Sequence, residues 1–71
     1  MQNTIALRVR SARQSARLTQ AELAARLNLS RSAVAQWESA SGSAPSTTNL
    51  ASLALALECS FEWLATGKGS R

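Results

Sequence analysis

Two helical patterns stand with only Asn28, Leu29 and Ser30 between them, and this tight junction limits the chain to few folds. Thr19-Gln20-Ala21-Glu22 reads as a capping box. The Thr19 side chain can reach the Glu22 amide, and the Glu22 carboxylate can reach back. Leu23, Ala24 and Leu27 follow as one apolar face, which predicts a helix over residues 20–27. Asn28 can end it, because Asn tolerates a left-handed backbone better than most residues other than Gly. Leu29 is expected to fill the gap beneath the turn. Ser30 is a good N-cap, so a second helix is expected over residues 31–39. Ala24 is small where two such helices must approach. Leu23, Leu27, Leu29, Val34 and Trp37 are expected to lock the pair onto a shared core.

The flanking sequence supplies that core from further helices. Ile5, Val9, Ala12 and Ala16 fall on one apolar stripe and predict a helix from Thr4 to Ser15. Leu50, Leu53, Ala54 and Leu57 predict a helix that starts near Ser46 or Thr47. Ser60 caps a short last helix, with Phe61, Trp63 and Leu64 toward the core, and Gly67 closes it. Between them, SASGSAPSTT from Ser39 to Thr48 is small and polar, with the only Pro, and reads as a loop. Nothing alternates at period two, so no strand is expected. The fold class is all-α: a five-helix bundle in one domain, residues 1–67, with a polar tail over 68–71. A chain of 71 residues with 45% hydrophobic but only 4% aromatic residues must build a small core from Leu, Ala, Val and Ile.

Charge and residue types then exclude several functions. The net charge is +4, and seven of the eight basic residues are Arg. Guanidinium forks match phosphates and base edges, so a small Arg-rich domain points to nucleic acid. There is no His and one Cys, which excludes the usual zinc-finger ligand sets and an internal disulfide. No metal or cofactor is expected. With no His and no Asp, and four Glu at capping, pairing or surface positions, no enzyme is expected either. Cys59 reads as a small core residue rather than an oxidation sensor. No apolar run approaches the roughly 20 residues of a membrane span, and no signal-peptide pattern is seen. The expected location is cytoplasmic, at the nucleoid.

The second helix of the tight pair carries the candidate chemistry. At about 100° per residue from Arg31, Ala33, Trp37 and Val34 lie near 200°, 240° and 300°, the core face. Arg31, Ala35, Ser39, Ser32 and Gln36 span about 0° to 140°, an arc without an acid. Arg31 suits guanine O6 and N7, Gln36 suits adenine N6 and N7, Ala35 suits a thymine methyl, and Ser32 can serve a base or a phosphate. These four are the candidate base readers. Glu38 lies between core and groove, where it would repel phosphates unless neutralised. Arg10, Arg13 and Arg17 form a basic stripe on the first helix, and Arg13 is the expected partner of Glu38. Arg10 and Arg17 are then left for phosphates. Gln20 and Asn49 stand near helix starts, which favour anions. With Ser30 and Ser39 they complete the phosphate candidates.

Nearly the whole chain, from about Ile5 to Gly67, resembles the Cro and phage-repressor type of helix-turn-helix domain, the lambda-repressor-like family. The marks are Arg13, TQAELA at 19–24, the run 30–38 ending in QWE, Pro45, the NL-x-x-LA-x-AL run at 49–57, and Trp63-Leu64. The resemblance implies a five-helix bundle that binds a partly palindromic double-stranded DNA operator as a homodimer, usually to repress transcription. It implies base contacts from Arg31, Ser32 and Gln36, a phosphate contact from Gln20, and an Arg13–Glu38 pair. Asn28 and Glu58 depart from the pattern, standing where Gly is usual. The loop at 39–48 also lacks the basic residues that some relatives place on the DNA backbone, so fewer phosphate contacts are expected. The same fold serves antitoxins, with a toxin as protein partner, and controller proteins of restriction–modification operons; these are the alternatives.

Overall fold

The structure is a computed structural model that describes residues 4–71, so the first three residues of the expected 1–67 unit lie outside it. Five helices and no strand are found among the described residues. They are α1 (Ile5–Ser15), α2 (Gln20–Arg26), α3 (Arg31–Trp37), α4 (Thr47–Ala56) and α5 (Phe61–Thr66). Each begins on a hydroxyl cap: Thr4, Thr19, Ser30, Ser46 and Ser60 accept from the amides of Leu7, Glu22, Ala33, Asn49 and Trp63. A hydroxyl at this position satisfies one of the amides that a helix start leaves without an internal partner.

Three helices end on the same turn, and in none of them is the turn residue a glycine. Arg17, Asn28 and Glu58 have φ of 60°, 58° and 53°. After each, the next amide reaches back across the turn: Leu18 to the Arg13 carbonyl, Leu29 to Ala24 and Cys59 to Ala54, at 3.2, 2.9 and 3.0 Å. Arg17, Asn28 and Glu58 themselves donate to Gln14, Ala25 and Leu55, which completes the Schellman pattern. Each left-handed residue with a Cβ costs about 1–2 kcal/mol, less for Asn, whose short side chain is tolerated there.

Val9, Leu23, Val34, Leu53 and Leu64 are fully buried and bring all five helices to one core, joined by Ala12, Ala24, Trp37, Leu50, Ala54 and Leu57. Several expectations need correction. Leu29 is 40% exposed and does not fill the turn; its backbone amide closes the turn instead. Ala16 lies beyond α1 and is exposed, as is Phe61 at the start of α5. Helix α3 stops at Trp37, with Glu38 as its C-cap, so Ser39 leaves the helical arc. Helix α4 starts at Thr47 on the Ser46 cap, as expected, so the loop ends at Ser46 rather than Thr48. Arg17 sits in the turn after α1, so the Arg10-Arg13-Arg17 stripe does not continue to it.

A further buried residue had no sequence signal. Arg8 is 5% exposed, and its guanidinium donates to the Leu64 carbonyl at 2.9 Å and the Ala65 carbonyl at 3.2 Å. It ties α1 to the last turn of α5, where carbonyls are unpaired and the helix end is partly negative.

Candidate nucleic-acid interface

Helix α3 is held from beneath and bare on top. Val34 and Trp37 are buried in the core, while Arg31, Ser32 and Gln36 are exposed and Ala35 is half-buried between them. No acidic residue stands on this arc. The four base-reading candidates therefore share one outward face on a helix whose other side cannot rotate away.

The C-terminal end of α3 is fixed by a buried carboxylate. Arg13 grips Glu38 with two bonds, Nε to Oε2 at 2.6 Å and Nη2 to Oε1 at 3.0 Å, and its Nη1 donates to the Leu18 carbonyl at 2.8 Å. Gln20 donates to Oε1 at 3.1 Å, and the Arg10 Nε stands 3.7 Å from the same oxygen. Burial opposes ionisation of Glu38 most strongly, but the bonds from Arg13 and Gln20 and the charges of Arg13 and Arg10 outweigh it. The net effect holds the Glu38 carboxyl below its usual range. Arg13, bonded to Glu38, is shifted upward and stays charged. The acid closest to the reading face is thus neutralised within the protein, and α1, α2 and α3 meet at it.

The remaining candidates divide by position. Arg10, Gln20, Ala35 and Ser39 line one open groove between the first half of α1 and the loop after α3. Arg10 keeps half of its side chain in solvent, whereas the Gln20 amide is tied to Glu38. Ser30 is exposed and uses its hydroxyl as the α3 cap. Asn49 is half-buried in the first turn of α4, and Arg17 is exposed in the α1–α2 turn; neither lines the groove.

Sequence reading missed Gly42 and Ser43, which line the groove's far wall. A Cβ on Gly42 would lie 2.1 Å from the Gln36 carbonyl oxygen, so only glycine allows the loop to return onto α3. The lone Gly within the polar stretch was the available signal. Cys59 is half-buried, and burial pushes its thiol up, against a smaller opposing effect of Arg71. No group of residues suited to a metal ion occurs among the described residues. No helix there is long and apolar enough to cross a membrane.

This arrangement, a short capped helix, a four-residue connection and a second helix with a buried underside, defines a helix-turn-helix protein. The helix-turn-helix family model matches residues 9–64. A crystal structure of the P22 c2 repressor in complex with a synthetic operator is similar to this chain, with a TM-score of 0.85 and 33% identity. The match covers 94% of this chain and 100% of that one. The solution structure of the P22 c2 repressor DNA-binding domain is similar at a TM-score of 0.80 and 34% identity, covering 90% of this chain and 84% of that one. No curated sequence gives a significant match. The chain belongs to the lambda-repressor-like helix-turn-helix family.

Proposed function

We propose that the protein is a sequence-specific regulator that binds double-stranded DNA with α3 in the major groove, and that it represses transcription from a partly palindromic operator. The observation that carries this reading is the acid-free arc of Arg31, Ser32, Ala35 and Gln36 on a helix seated by Val34 and Trp37. Small neighbours let the helix sit deep, and Arg31 and Gln36 supply the forked donors and acceptors that distinguish base pairs. The likeness to a repressor solved on its operator supports it.

Phosphates are assigned to the groove beside α3. Arg10 and Ser39 face it, and the neutralised Glu38 removes the repulsion that an acid there would exert. Palindromic recognition requires two copies, with α3 helices about 34 Å apart, one turn of DNA. Leu55, 81% exposed, and Phe61, 43% exposed, are assigned to the contact between copies. On this reading it is a binding protein at the nucleoid rather than an enzyme; Glu22 serves a cap and Glu38 an ion pair.

Selection of binding sites from random DNA at two salt concentrations tests the reading. A palindromic half-site repeated at one-turn spacing is expected. Arg31→Ala should then weaken binding by about 1–3 kcal/mol and relax one base position. Uniform weakening across all sequences would instead make Arg31 a phosphate ligand.

A further inference from the structure

The loop after α3 is built onto the reading helix. The Ser39 amide donates to the Gln36 carbonyl at 3.2 Å, and the Gly42 amide donates to the Ser39 carbonyl at 3.1 Å. The Ser39 and Ser41 hydroxyls lie 3.3 Å apart and tighten the same turn. Gly42 then passes so close to α3 that a Cβ would meet the Gln36 carbonyl oxygen at 2.1 Å and its carbon at 2.9 Å. The next residue, Ser43, donates its hydroxyl to the Gln36 side-chain Oε1 at 3.4 Å. One backbone approach and one side-chain bond therefore converge on the same residue of the reading arc.

We propose that Ser43 is a positioning residue that holds the Gln36 side chain ready for the base it reads. A free glutamine side chain loses rotamer freedom when it meets a base. The bond to Ser43 removes part of that freedom beforehand. The oxygen retains a second lone pair. The carboxamide then offers one acceptor and one donor, which fit the N6 donor and N7 acceptor of adenine and not the two acceptors of guanine. Because only adenine takes both, the tether favours it. Gly42 makes the bond feasible by letting the loop lie flush on α3. The proposal rests on the reading that α3 faces base edges.

Binding of the full chain is measured on operator variants, with Gln36→Ala first locating the base pair that Gln36 reads. At that pair, Ser43→Ala should lower the preference for adenine over guanine about two- to tenfold, the value of one lost hydrogen bond. Ser43→Thr, which keeps the hydroxyl, should restore it. Gly42→Ala, which must lift the loop, should repeat the Ser43→Ala result if the variant folds; thermal melting checks each protein. An unchanged adenine preference in Ser43→Ala overturns the proposal and leaves the DNA-binding reading standing. Equal weakening on all sequences also overturns it, because Ser43 would then be a phosphate contact. A wild-type protein with no base preference overturns both.

Discussion

Helix α1 holds the molecule together with two arginines that work on different partners. Arg13 reaches a carboxylate, Glu38, at the end of α3. Arg8 reaches backbone carbonyls, Leu64 and Ala65, at the end of α5. Both guanidiniums close a helix C-terminus, but the first bond is between ionised side chains and the second is to the partial charge of a helix end. The difference decides which helix responds to solution conditions. The seat of the reading helix depends on an acid that protonates, whereas the end of α5 presents backbone carbonyls to Arg8.

The largest expected effect separates the two by removal. Arg13→Ala leaves Glu38 buried beside only Gln20 and the more distant Arg10, and should cost about 2–4 kcal/mol in urea unfolding. Arg8→Met keeps much of the buried stem and strands carbonyls rather than a charge, so about 1.5–3 kcal/mol is expected. A larger loss for Arg8→Met than for Arg13→Ala would reverse the comparison.

Acid should sharpen it. Glu38 has a folded pKa below its ordinary value, so its contribution is fully present above the unfolded glutamate value of about 4.3 and is lost as pH falls through the lower folded value. Glu22, held low chiefly by the Thr19 amide, acts in the same direction. Stability measured from pH 6 downward should therefore fall less steeply in Glu38→Gln than in the wild type, with a residual slope from Glu22. Arg8→Met should keep the wild-type slope. Equal slopes in Glu38→Gln and wild type would mean that the carboxylate is not linked to folding.

The smallest effect concerns the turns that follow α1 and α4. Arg17→Gly and Glu58→Gly relieve left-handed strain but loosen the unfolded chain, leaving a net gain of about 0.5 kcal/mol each. Differential scanning calorimetry should show a small rise in Tm for both. A fall would show that the side chains at these turns contribute contacts that exceed the strain.

The same two arginines explain what could be read in advance. Arg13 was legible because its partner is a residue: Glu38 stood at the edge of the α3 arc and required a nearby base. Arg8 was not, because carbonyls carry no letter in the sequence, and Arg8 lies next to the α1 stripe rather than on it. The helix-turn-helix pair was legible from Thr19, Glu22, Asn28 and Ser30, whose side chains act on their own neighbours. Leu29 misled because its hydrophobicity predicted burial, while the turn needed only its amide. In the loop, Gly42 and Ser43 are placed by contact with Gln36, which no periodicity reports.

One further consequence follows from the caps. All five helices start on Ser or Thr hydroxyls, which carry no charge near neutral pH, and only at α2 does a carboxylate, Glu22, join the cap. Added salt therefore has little to screen at four of the five helix starts. In a complex with DNA, the slope of affinity against salt then counts displaced counterions with little contribution from fraying helix starts. The protein is in this sense a quiet scaffold, on which a change in that slope can be assigned to a single side chain.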